Sequence, residues 1–338
     1  MRSAIGLIIG LVFATSAVAD FDDGQAAYDR GDYATAHDEW ETVAKEGHAA
    51  AQYELALLYQ RGRGVPRDFA KAAIWYRKSA EQGFAKAQTN LGKMYVVGLG
   101  VPRDLVQARA WYLRAAEQGD PNAQSNLGVM HLRGEGVTQS YTEAADWFRK
   151  AADQGHDLAQ SELGLMYMVG RGVPRDFAAA EMWLRKSAEQ GHPNAQFNLG
   201  YMYATGRGLP QDYAEATKWV RKAAEQGHAS AQYRLSVMYL TGSGVSKDDF
   251  EVAKWAEKAA RQGHTEAQNN IGRLYEEGQG VPQNKVQAYF WYSLAAARGN
   301  ETAKKNRAAI AQQMSAEQIA EADRLVSDWK PAPQYRAP

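Results

Sequence analysis

Five histidines occupy one recurring place in the chain. His48, His156, His192, His228 and His264 each follow a glycine directly. Imidazoles in series could in principle bind zinc, but zinc ligands must converge to about 2 Å from a single ion. Equivalent atoms in successive helix pairs cannot do so, because adjacent packed helices lie about 8–10 Å apart. These histidines are therefore expected to dress the start of a helix, and no metal site is expected. Ser327-Asp328-Trp329-Lys330 matches the S-x-x-K of penicillin-recognising enzymes. The companion Lys-Thr-Gly and Ser-Asp-Asn motifs are missing, and Ser327 falls at the end of a terminal helix. Paired glycines such as Gly62-Arg63-Gly64 are not phosphate loops, since no Lys-Ser/Thr follows and no strand precedes them. No H-E-x-x-H or G-x-S-x-G occurs, and there is no cysteine to form a disulfide, a thiolate zinc site or a nucleophile. The reading is of a non-enzyme with no catalytic residue, metal or cofactor.

Lys plus Arg and Asp plus Glu balance at 39 each, which gives no electrostatic case for nucleic acid or an anionic membrane as partner. At the N-terminus Arg2, the apolar run from Ala4 to Ala14, and Ala17-Val18-Ala19 read as a signal peptide, 1–19, cleaved after Ala19. The apolar run falls short of the roughly 20 residues of a membrane-spanning helix. With no cysteine after the cleavage site, a lipid anchor is not expected. The mature chain is expected to be periplasmic or secreted, with no membrane insertion after cleavage, and monomeric.

The positioning elements follow from self-comparison. Trp75, Trp111, Trp147, Trp183, Trp219, Trp255 and Trp291 stand 36 residues apart, and Gly64 to Gly280 and Gly47 to Gly299 keep the same step. Each repeat reads as two helices. In 84–119, Ala87, Leu91, Met94 and Tyr95 form a helical stripe, which predicts helix A from Phe84 to Val96. Gly98-Leu99-Gly100-Val101-Pro102 stops it, and Asp104 caps helix B. The equivalent caps are Asp68, Ser140, Asp176, Asp212, Asp248 and Asn284. Gly92, Gly128, Gly164, Gly200 and Gly272 fall mid-helix A, at a cost of about 1 kcal/mol each relative to alanine. Close approach to the Ala80, Ala116 and Ala152 row of helix B is expected to offset that cost. The tryptophans read as core.

The run Ala87-Gln88-Thr89-Asn90-Leu91-Gly92-Lys93-Met94-Tyr95, with Gly98 to Asp104, Ala110-Trp111-Tyr112 and Ala115-Ala116-Glu117-Gln118-Gly119, resembles the Sel-one-like repeat, a relative of the tetratricopeptide repeat. The resemblance covers 48–299 as seven repeats: 48–83, 84–119, 120–155, 156–191, 192–227, 228–263 and 264–299. Residues 20–47 look like a tetratricopeptide-like capping pair, 300–330 like C-terminal capping helices, and 331–338 like a disordered tail. Thr138, Ser246, His131 and Val252 depart from the pattern. The resemblance implies an all-α fold, a right-handed superhelical solenoid of stacked antiparallel helix pairs that scaffolds protein complexes. Some cysteine-rich relatives bind penicillins, but this chain lacks their cysteines.

The informative positions are then those that vary between repeats. On helix A, the residues one, five and eight places after the recurring glutamine form a second stripe, which by analogy with tetratricopeptide arrays lines the concave face. There Val129, Leu132, Leu165, Met168, Phe197, Tyr201, Tyr233, Val237 and Leu240 make an apolar and aromatic run. Such a surface on a soluble protein marks an interaction site. The expected function is a scaffold binding a protein or extended peptide in this groove, plausibly in envelope regulation, assembly or signalling. The alternatives are a cell-wall or β-lactam-interacting enzyme and a polysaccharide- or peptidoglycan-binding module.

Overall fold

A computed structural model describes residues 21–332, so the leader read at 1–19 and residues 333–338 of the tail lie outside the described residues. All regular structure among the described residues is α-helical. A first helix, α1 (21–29), pairs in sequence with α2 (Tyr33–Lys45). The repeats follow as α3 (Ala49–Arg61) and α4 (Phe69–Glu81), α5 (Ala85–Val97) and α6 (Leu105–Glu117), then α7 (Pro121–Arg133) and α8 (Tyr141–Asp153). Next come α9 (Asp157–Val169) and α10 (Phe177–Glu189), α11 (Pro193–Thr205) and α12 (Tyr213–Glu225), then α13 (Ala229–Thr241) and α14 (Asp249–Arg261). The seventh pair is α15 (Thr265–Glu277) and α16 (Lys285–Ala297), followed by α17 (Glu301–Ala311) and α18 (Ala316–Asp328). Contacts divide the chain into two compact units. Among the described residues the first holds 21–159 with 171–173, and the second holds 160–170 with 174–332. Successive helices pack on one another from α2 to α8 in the first unit and from α10 to α17 in the second, where α18 packs on α16. No helix among the described residues is long and apolar enough to cross a membrane.

The ends of the helices follow local chemistry. Asp68, Asp104, Ser140, Asp176, Asp212, Asp248 and Asn284 each accept a first-turn N–H of helix B. Each such cap stabilises by about 1 kcal/mol. Helix A begins one residue later than its hydrophobic pattern indicated, because Phe84 and its equivalents take extended backbone as the N-cap. The histidines sit at this cap. Nδ1 of His48, His156, His228 and His264 accepts the N–H of Ala51, Ala159, Ala231 and Ala267 at 3.1–3.3 Å. Among the described residues no three metal-ligating side chains converge. Helix A ends on a left-handed glycine, Gly98 at φ +79. Two residues on, Gly100 has φ +71, and a Cβ there would collide with the Phe69 carbonyl of the preceding repeat.

The mid-helix glycines do not face the alanine row. A Cβ on Gly92 would stand 2.6 Å from the Tyr112 ring, and Gly128, Gly164, Gly200 and Gly272 meet Phe148, Leu184, Val220 and Tyr292 in the same way. Ala80 instead lies near the start of the next helix A, where Gln88 Nε2 donates to its carbonyl at 3.0 Å. The middle of helix A is crossed by the middle of its own helix B, and the residue after the tryptophan fills that crossing. Trp111, Trp183, Trp219, Trp255 and Trp291 are buried, while Trp75 and Trp147 are half-buried.

Within each unit a buried amide relay ties successive repeats together. The recurring helix A glutamine donates to a carbonyl eight residues back: Gln52 to Ala44, Gln88 to Ala80, Gln124 to Ala116, Gln196 to Ala188, Gln232 to Ala224 and Gln268 to Ala260. Its Oε1 accepts Nε2 of the glutamine that closes the following helix B, in the pairs Gln82–Gln52, Gln118–Gln88, Gln154–Gln124, Gln190–Gln160, Gln226–Gln196 and Gln262–Gln232 at 2.7–2.8 Å. The relay stops where Arg298 takes the closing place and turns instead to the Gly263 carbonyl and the Trp329 ring. Helix α18 starts in a complete capping box of Ser315 and Gln318 and lies along α16. Val326 and Trp329 pack there on the core that holds Phe290, Trp291 and Leu294. Ala332 N–H then donates to the Arg261 carbonyl at 2.8 Å.

Candidate interaction site

All nine residues of the variable stripe are half-buried. Val129 and Leu132 belong to the first compact unit, and Leu165, Met168, Phe197, Tyr201, Tyr233, Val237 and Leu240 to the second. The three rows of the stripe do not behave alike. In the row one place after the glutamine, the small residues Thr89, Ser125 and Ser161 are buried at 3%, 3% and 2% exposure, whereas Phe197 and Tyr233 stand partly clear. This row faces the start of the next helix A, where the short side chains end inside the seam and the longer ones, Phe197, Tyr233 and Asn269, emerge from it.

Within the second unit the emergence creates a cleft of about 330 Å³, lined by Phe197, Tyr201, Val220, Ser230, Tyr233, Arg234, His264 and Glu266. Phe197 and Tyr201 stand one turn apart on α11, and Tyr233 occupies the Phe197 position on α13. Phe197 and Tyr233 are each braced from the next repeat by a capping histidine. Phe197 stacks on His228 with ring centroids 4.9 Å apart and planes at 24°, and Tyr233 on His264 at 4.7 Å and 29°. Stacking of this kind fixes ring orientation in advance, so little side-chain freedom remains to be lost on binding. The Arg207 guanidinium lies 5.4 Å from the Tyr201 ring centroid.

Burial pushes the His228 imidazole below its ordinary value, and neighbouring His192 and His264 add to the effect. Burial likewise lowers His264 against the opposing pull of Glu266. Both rings are thus kept neutral, as an Nδ1 that accepts a backbone N–H requires. Burial, helped by Glu266, raises the Tyr233 phenol, which stays protonated and able to donate. The cleft therefore offers an aromatic wall, a phenolic donor and one guanidinium. Ser327, the serine of the S-x-x-K match, is exposed near the end of α18 and is not part of the cleft.

Ser230, Arg234, His264 and Glu266 were not singled out as site residues by the sequence reading. The legible signal was the place of Arg234, where asparagine or glutamate stands in the other repeats.

The Sel1 repeat family model matches at 49–84, 85–120, 121–156, 157–192, 193–228, 229–264 and 265–300. None of the curated proteins matches the chain. Among solved structures, a Sel1 repeat protein from Oxalobacter formigenes is 35% identical, with 71% of this chain and 96% of that one covered and a TM-score of 0.66. The protein c5321, a protective antigen present in uropathogenic Escherichia coli strains and displaying an SLR fold, is 31% identical over 93% of this chain and 84% of its own, with a TM-score of 0.48. Sel1 repeats are in general protein-interaction modules. With seven consecutive matches spanning 49–300 on paired, stacked helices, the chain belongs to the Sel1 repeat family.

Proposed function

We propose that this protein is a non-enzymatic scaffold, acting in the periplasm or after secretion, whose helix A face holds an extended peptide segment of a partner protein. The observation that carries the reading is the cleft walled by Phe197, Tyr201 and Tyr233, three large aromatics on the helix A face of the second unit that are left partly open to solvent. Aromatic anchors in a preformed cleft are what binding hot spots are made of. Pre-stacking on His228 and His264 lowers the entropy lost on binding. The remaining stripe residues Leu165, Met168, Val237 and Leu240 extend apolar surface along the same helix face of the second unit, and Val129 and Leu132 do so in the first. The location follows the leader read at 1–19. A pull-down from envelope extract tests the proposal, with the wild type compared against Phe197→Ala/Tyr233→Ala. The double variant should lose the partners while keeping its circular dichroism spectrum. Retention of the same partners by the folded variant would refute it.

A further inference from the structure

Two neighbouring rows of helix A interlock from repeat to repeat at an offset of 37 residues. Asn306 Nδ2 donates to Asn269 Oδ1 at 3.1 Å across that offset, and Asn270 stands at the same offset from Tyr233. The second row reads Glu54, Asn90, Asn126, Glu162, Asn198, Arg234, Asn270 and Asn306. Arg234 is the exception, and the residue at its offset is Phe197, whose ring can neither donate nor accept. Arg234 Nε is shut off from water without a hydrogen bond. Among the described residues no ion pair reaches its guanidinium. Glu266 also borders the cleft, but it is exposed and lies 3.3 Å from His264 Nδ1. A half-buried cation with a dehydrated, unbonded donor is costly unless an acceptor arrives. The fork of the guanidinium matches a carboxylate in two parallel hydrogen bonds.

We infer that the cleft takes a carboxylate carried beside a large apolar group, that is, an aspartate or glutamate next to an aromatic or aliphatic residue in an extended peptide. The carboxylate pairs with Arg234, and the apolar neighbour fills the space between Phe197, Tyr201 and Tyr233. This rests on the peptide-binding reading above and assigns it a chemical class of ligand.

A phage-displayed library of random dodecapeptides, selected on the full chain, tests the assignment. The wild type should enrich peptides with an acid within two residues of an aromatic or aliphatic side chain. Arg234→Gln should keep the apolar preference and drop the acid, and should bind the selected acidic peptides about tenfold more weakly. Arg234→Glu should turn the preference to lysine and arginine. If wild type and Arg234→Glu enrich the same charge, the carboxylate assignment fails while peptide binding stands. If Phe197→Ala/Tyr233→Ala enriches the same peptides as the wild type, or the wild type enriches none, the peptide-binding reading fails with it. Selected peptides remade with a free or amidated C-terminus separate a side-chain carboxylate from a chain-terminal one.

Discussion

Removing one link of the amide relay should cost an amount that its geometry fixes. Gln88 is 3% exposed, donates to Ala80 O at 3.0 Å and accepts from Gln118 Nε2 at 2.8 Å. Gln88→Met preserves the volume and deletes both bonds. Ala80 O keeps the Gly83 N–H at 3.0 Å, and Gln118 Nε2 keeps the Arg114 carbonyl at 3.2 Å, so neither partner is orphaned. Two net hydrogen bonds at about 1 kcal/mol each set the loss at about 2 kcal/mol. Gln118→Ala leaves Gln88 Oε1 without its donor at a place water can reach from the exposed side, which costs about 1 kcal/mol. In the double variant the bond between the two is lost only once, so the total should be about 2 kcal/mol and the coupling about 1 kcal/mol. Urea unfolding of the four proteins, followed by circular dichroism and tryptophan fluorescence, measures the cycle. A Gln118→Ala loss within error of zero, with strictly additive effects, would refute the relay as a stabilising element.

Other predictions concern the caps and loops. Burial lowers His156, His228 and His264 below the ordinary imidazole value of 6.5. The native state therefore binds fewer protons than the unfolded chain between the folded and unfolded values. Stability is then fully present above pH 6.5 and is lost as the pH falls through the folded values. The melting temperature should drop between about pH 7.5 and pH 5, and His228→Asn/His264→Asn, which keeps a capping acceptor, should flatten the drop. A melting temperature that is level or rises on acidification would contradict this. Gly100→Ala combines left-handed backbone with a collision against the Phe69 carbonyl, and should cost 2 kcal/mol or more, roughly twice the about 1 kcal/mol expected of Asp104→Ala. Equal melting temperatures for these two variants would be the contrary result.

The repeat, the helix caps and the left-handed glycines were legible because each is a local rule applied seven times. What the sequence could not supply was which equivalent positions meet. The Gln88–Gln118 pair joins two recurring columns 30 residues apart, and periodicity shows both columns without linking them. The glycine crossing was assigned to the wrong row for the same reason: Tyr112, not Ala116, lies over Gly92. Another link becomes visible only in three dimensions. Arg77, Arg185 and Arg221 on helix B donate to Tyr95, Tyr203 and Tyr239 of the next repeat. Leu113 and Glu257 take the arginine's place in two repeats, with His131 and Tyr275 at the tyrosine's place. In the candidate site the stripe itself could be read from spacing. The burial of Thr89, Ser125 and Ser161 beside the emergence of Phe197 and Tyr233 depends on side-chain length across a seam between repeats.

Photo-crosslinking in living cells addresses the peptide-binding reading most directly. Benzoylphenylalanine placed at Tyr201, on the cleft wall, should give a discrete covalent adduct with a protein partner. The same group at Val106, a 69% exposed site on helix B, should give none. An adduct from Val106 with none from Tyr201 would place the interaction elsewhere and contradict the account.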